Sequence, residues 1–106
     1  MAHFLIEASY TNEGVKGVQS AGGSSRRDAV KAMVEGVGGS LVSFHFGFGE
    51  ADAYVIAELP DNESAAAVAL AVNSSGGAVT KTTVLLTPEQ VDAAAQKSVD
   101  YRPPGS

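Results

Sequence analysis

The stretch that most restricts the fold of this chain is Leu41 to Pro60, reading L-V-S-F-H-F-G-F-G-E-A-D-A-Y-V-I-A-E-L-P. Apolar and polar residues alternate on both sides of a glycine-containing centre, the pattern of two strands with opposite faces. Gly49-Glu50 reads as a two-residue hairpin loop. That register puts His45 opposite Tyr54 and Gly47 opposite Asp52. One face then carries Phe44, Phe46, Phe48, Ala53, Val55 and Ala57 and is expected under helices. The reverse face carries Ser43, His45, Asp52, Tyr54, Ile56 and Glu58. It is too polar for an ordinary core and too apolar for a fully wet surface.

The flanking sequence supplies the other elements. His3 to Thr11 predicts a strand with Phe4, Ile6, Ala8 and Tyr10 on one face and Leu5, Glu7 and Ser9 on the other. Asn12 to Val37 predicts a helix capped by Thr11. It weakens across Ala21-Gly22-Gly23-Ser24-Ser25 and restarts on a Ser25/Asp28 capping signal. Gly38-Gly39 ends it. Asp61 caps a small-residue helix ending at Asn73-Ser74-Ser75-Gly76-Gly77. Ala78 to Thr87 is a β-branched strand. Thr87-Pro88-Glu89-Gln90 starts a final helix that runs to about Ser98. Asp100 to Ser106, with two prolines, is extended.

The order strand, helix, strand, strand, helix, strand, helix predicts an α+β fold of the ferredoxin-like βαββαβ plan with an extra C-terminal helix. Residues 1–98 form one domain and residues 99–106 a tail. Both main helices fall on one side of the sheet, so the other side is left uncovered. A second copy packed there would form a dimeric α+β barrel, with the His45/Tyr54 face inside.

Composition narrows the partners. Lys and Arg total seven against twelve Asp and Glu, a net charge of −5. Such sparse positive charge excludes nucleic acid and anionic membrane surfaces as expected partners. The pair Arg26-Arg27 reads as a solvated helix face. The absence of cysteine excludes disulfides and thiolate metal sites and fits a cytoplasmic protein. Met1-Ala2-His3-Phe4 lacks the charged and apolar regions of a secretory signal, and no run is long enough to cross a bilayer.

His45 is the sharpest candidate for chemistry. A histidine beside a phenol and a carboxylate can take and return a proton near neutral pH. The catalytic candidates are therefore His45 and Asp52. The ligand-binding candidates are Glu7, His45, Asp52, Tyr54 and Lys81. The competing readings are structural: a His45–Tyr54 hydrogen bond at an interface, Asp52 closing its turn, Glu58 as a strand-end charge, and Lys81 as an edge charge that discourages aggregation. Gly47 opposite Asp52 leaves space at a pocket mouth. Neither H-x-H nor H-E-x-x-H occurs, so no metal is assigned and no cofactor is expected. The phenylalanines read as core, since a nucleic-acid platform would set aromatics among basic residues.

Tyr10-Thr11, Gly14, Arg27, Gly38-Gly39, the F-G-E-A-D-A-Y stretch, Pro60-Asp61 and Thr82-Thr83 together resemble the GYD domain family. The likeness spans roughly residues 3 to 90. It implies a ferredoxin-like fold among the dimeric α+β barrels of bacteria and archaea, in a family without an established biochemical function. The chain departs at the name-giving motif. Members typically read G-E-Y-D, where this chain has Gly49-Glu50-Ala51-Asp52 and an aromatic at Tyr54. Its K-S-V-D-Y-R-P-P-G ending is similar to that of a subgroup. The expected function is binding of a small organic metabolite by a homodimer or larger homo-oligomer. One alternative is a cofactor-independent monooxygenase or isomerase using His45 as acid and base. Another is an assembly module without a ligand.

Overall fold

The computed structural model describes residues 1–105. Its elements are β1 (Ala2–Tyr10), α1 (Asn12–Ala21), α2 (Gly23–Gly36), β2 (Ser40–Phe46), β3 (Ala53–Leu59), α3 (Asn62–Ser74), β4 (Ala78–Leu85) and α4 (Pro88–Ala95). The strands form one sheet in the order β2-β3-β1-β4, and every pairing is antiparallel. This is the ferredoxin-like arrangement, with α4 added.

The core lies between one sheet face and the helices. Phe4 and Ile6 of β1 and Val55, Ala57 and Leu59 of β3 meet Val30 and Val34 of α2 and Ala65 and Val68 of α3. The sequence sets this directly. Alternate strand residues point the same way, while Val30 and Val34 lie one helical turn apart. Three helix starts are fixed by side-chain caps. Thr11 accepts from the Gly14 N–H at 3.3 Å, Asp61 from the Ser64 N–H at 2.8 Å, and Thr87 shares a reciprocal capping box with Gln90. Ser64, through its side chain and its N–H, holds the Asp61 carboxyl below the usual 3.8.

Four local expectations are corrected. The first helical segment is two helices, and the break falls at Gly22. Gly22 has φ 93, a conformation that costs other residues dearly, so α2 restarts at Gly23 without waiting for the Ser25/Asp28 signal. In the hairpin the ladder stops at Phe46–Ala53, with one further backbone bond from the Gly47 N–H to the Asp52 carbonyl. The loop is therefore wider than Gly49-Glu50. Phe48 lies beyond the helix layer and is fully exposed, whereas Ala51 turns inward and is buried. Phe46 is also partly exposed, with one ring edge against Phe44 and another over Gly23. Finally, the register slips between Leu41 and Ser43, so Leu41 pairs with Ala57 and Ser40 with Glu58. A bulge at Val42 turns Leu41 from the reverse face, where strict alternation would put it, onto the core, and leaves Val42 exposed.

Beyond Leu85 the chain leaves the body. Every described residue from Leu86 onward is exposed, and α4 buries none of its side chains. The Cα radius of gyration is 16.8 Å, against about 13 Å for a compact chain of this size. The longest dimension, 56 Å, reflects this projecting arm. No helix among the described residues is long and apolar enough to cross a membrane.

Candidate functional site

The strand registers assemble a polar row across the uncovered sheet face. His45 on β2 pairs with Tyr54 on β3, Tyr54 pairs with Glu7 on β1, and Glu7 pairs with Lys81 on β4. Directly paired residues in an antiparallel sheet point to the same side. Imidazole, phenol, carboxylate and ammonium thus stand side by side over about 14 Å, three interstrand spacings. Glu7 and Tyr54 are half-buried, while His45 and Lys81 are exposed. The close basic–acidic contacts among the described residues are Arg27–Asp28 and His3–Glu58, the latter ionic only with a protonated imidazole, so Glu7 and Lys81 are neighbours without a direct contact.

Tyr54 is positioned by what Gly47 lacks. A Cβ built on Gly47 would stand 3.0 Å from Cε1 of the Tyr54 ring. The space expected at a pocket mouth is therefore occupied by that ring, which lies against the Gly47 backbone. This packing sets the phenol beside His45.

Asp52 does not join the row. Its carboxylate accepts from the Tyr10 N–H at 2.8 Å, and its own N–H donates to the Ala8 carbonyl at 2.9 Å. The side chain ties the hairpin loop to the end of β1, where the chain turns toward α1. No hydrogen bond links it to His45 among the described residues. A charged acceptor used on a backbone donor contributes about 1.5–3 kcal/mol, enough to account for an aspartate here structurally.

A second polar row was not anticipated. Ser40, Glu58, His3 and Leu85 pair across the four strands. His3 Nε2 lies 3.1 Å from Glu58 Oε1, and the Ser40 hydroxyl donates to Glu58 Oε2 at 3.3 Å. Glu58 is thus held on both sides and is more than a strand-end charge. The odd-numbered alternation of β1 had already set His3 on the face of Glu7. Between the two rows Ser43, Ile56, Leu5 and Thr83 form a more apolar strip. Among the described residues no group of three or more His, Cys, Asp or Glu is arranged to hold a metal.

The expected solvated Arg26-Arg27 pair is split. Arg27 is exposed and bonds Asp28 through Nε and Nη2, both at 3.2 Å. Arg26 is half-buried, and its Nε is sealed from solvent without a hydrogen-bond partner among the described residues. Such a donor costs about 1–3 kcal/mol when left unpaired. Arg26 borders a cavity of about 280 Å³ between α1, the start of α2 and the turn from α3 to β4. A second, smaller space of about 30 Å³, also bordered by Arg26, lies toward Thr80 and the sheet. Both lie on the helix-covered side. The missed signal was helical spacing: Arg26 is four residues before buried Val30 and so shares its face.

The profile of the GYD domain matches residues 4–95, most of the chain. The chain belongs to the GYD domain family. No curated protein and no solved structure shows a significant match. In this GYD domain, the segment Gly49-Glu50-Ala51-Asp52 is a closure point. Ala51 is buried and Asp52 seals the β1 end. The polar row His45, Tyr54, Glu7 and Lys81 stands instead on the strands beside it.

Proposed function

We propose that this GYD domain is a homo-oligomeric protein that binds a small organic metabolite on the uncovered sheet face, with a second copy closing the space. The observation that supports this reading is the row His45, Tyr54, Glu7 and Lys81 across all four strands. It presents donors, an acceptor and both signs of charge beside the apolar Leu5 and Ile56, the mixture that small-molecule sites use. The four side chains come from four different strands, so the sheet itself fixes their spacing. Asp52 supports the site by holding the loop beside Tyr54, not as a ligand contact.

Native mass spectrometry on freshly purified protein tests both halves. The expected spectrum shows an oligomer carrying a small-molecule adduct, and the double variant H45A/K81A loses the adduct while keeping its circular dichroism. Leu5→Glu, which puts a charge in the apolar strip, is expected to give a folded monomer by light scattering. A wild-type protein that is monomeric at micromolar concentration defeats the oligomer. An adduct retained by H45A/K81A defeats the site.

The enzymatic reading is supported by His45 standing opposite Tyr54, which can orient the imidazole in place of Asp52. Once the adduct is identified, its turnover and the loss of that turnover in His45→Ala decide between binding and catalysis.

A further inference from the structure

We propose a separate anion site on the opposite side of the sheet: the cleft around Arg26 binds a small organic monocarboxylate. The cavity of about 280 Å³ suits a ligand of only a few carbons. Its walls are mainly apolar or backbone, including Val18, Ala21, Ala29, Val72 and Ala78, with Gly14, Gly17 and Gly22 exposing main chain. Among the described residues, Arg26 is the only charged one bordering either this cavity or the smaller space beside it. Among the described residues no aspartate or glutamate lines them to neutralise it, although acidic residues outnumber basic ones in the whole chain.

Arg26 is half-buried, and its Nε has no hydrogen-bond partner among the described residues. A guanidinium in this state gains more from an incoming anion than an exposed one does. It meets less competition from solvent, and its hydrogen bond to a carboxylate is charge-assisted. Arg27, with its guanidinium on Asp28 in the open, is the internal contrast. One cation with apolar walls matches a single negative charge on an apolar body. Tyr10 and Ser25 are the other hydroxyl-bearing residues beside the cavity, whereas Ser75 is already engaged with the Val72 carbonyl and the Gly77 N–H. A phosphate dianion would find too few donors here. The ligand is therefore a short-chain carboxylate, held at its charged end by Arg26 and along its carbons by Val18 and Val72.

The probe is hexanoate, titrated into the intact protein by calorimetry and followed by backbone amide NMR. Hexanoate is expected to bind and to shift the resonances of Gly17, Gly22 and Ala29, while 1-hexanol and inorganic phosphate bind more weakly. Arg26→Gln is expected to weaken hexanoate by about tenfold or more, and Arg27→Gln to change it by less than about twofold. Ala29→Leu, which keeps Arg26 and narrows the cavity, is expected to weaken it as well. If Arg26→Gln fails to fold, Ala29→Leu decides. No binding of hexanoate, equal binding of 1-hexanol, tighter binding of phosphate, or binding untouched by Ala29→Leu each overturns the proposal. Loss of hexanoate in Lys81→Ala with retention in Arg26→Gln also overturns it, by moving the anion to the uncovered face. The latter site can fail or stand independently.

Discussion

The two faces of the sheet are made by the same four strands, residue by residue in alternation, yet they carry different loads. On the helix side Phe4, Val55, Ala57 and Leu59 are almost wholly buried and carry no polar group. On the other side His3, Leu5, Glu7, Tyr54, Ile56 and Glu58 are each half-buried without any helix over them. Stability is concentrated on one face, and side-chain chemistry is left to the other. Among the described residues Arg26 crosses this division, a charged group bordering the apolar layer.

The sharpest way to break the contrast is to truncate neighbours that face opposite ways. Phe4→Ala removes a ring that is 1% exposed, and denaturant unfolding is expected to show a loss of about 3–5 kcal/mol. Leu5→Ala, the next residue, is expected to cost the isolated protomer about 1 kcal/mol or less. Equal losses in a monomeric sample would erase the distinction between the faces. Asp52→Ala comes next. It leaves the Tyr10 N–H without its acceptor and is expected to cost about 1–3 kcal/mol in the same assay. A change indistinguishable from zero would show that the loop closes without it. His45→Ala is expected to shift protomer stability by under about 0.5 kcal/mol, because the residue is exposed and its imidazole makes no hydrogen bond among the described residues. Its effect should appear in the adduct instead.

The smallest expected effect concerns pH. The Asp61 carboxyl is held below its ordinary 3.8, so its cap on α3 is at full strength above that value and is lost as pH falls through the lowered one. Acid titration followed by circular dichroism should show wild type losing this contribution below pH 3.8, with Asp61→Ala lacking it throughout. An identical acid response in both would remove the cap from the account.

Much of the site was legible because its spacing is local. The pairing of His45 with Tyr54 follows from period-two alternation on both sides of one turn, and Glu7 and Lys81 follow from alternation in β1 and β4. What escaped was set by distance in the chain or by layer size. Asp52 finds its acceptor role with Tyr10, 42 residues away, and no local pattern encodes that bond. Phe48 continues the apolar alternation of β2, but the helices do not extend over the hairpin tip, so the ring has nothing to pack against. The uneven fate of Arg26 and Arg27 was available in the helical period. Reading them as a charged pair hid it.

The central position of β1 has a consequence for how the chain acquires its structure. Ala8 pairs with Ala53 on one edge and Tyr10 with Ala78 on the other, so both ladders of β1 join distant parts of the chain. Closing them carries the entropy of long loops, and the β2–β3 hairpin can form well before either. Until β4 arrives, one edge of β1 stays unpaired, and that edge is open to pairing with other chains. Refolding should therefore lose yield to aggregation as protein concentration rises, with the completion of β4 as the step that ends the risk.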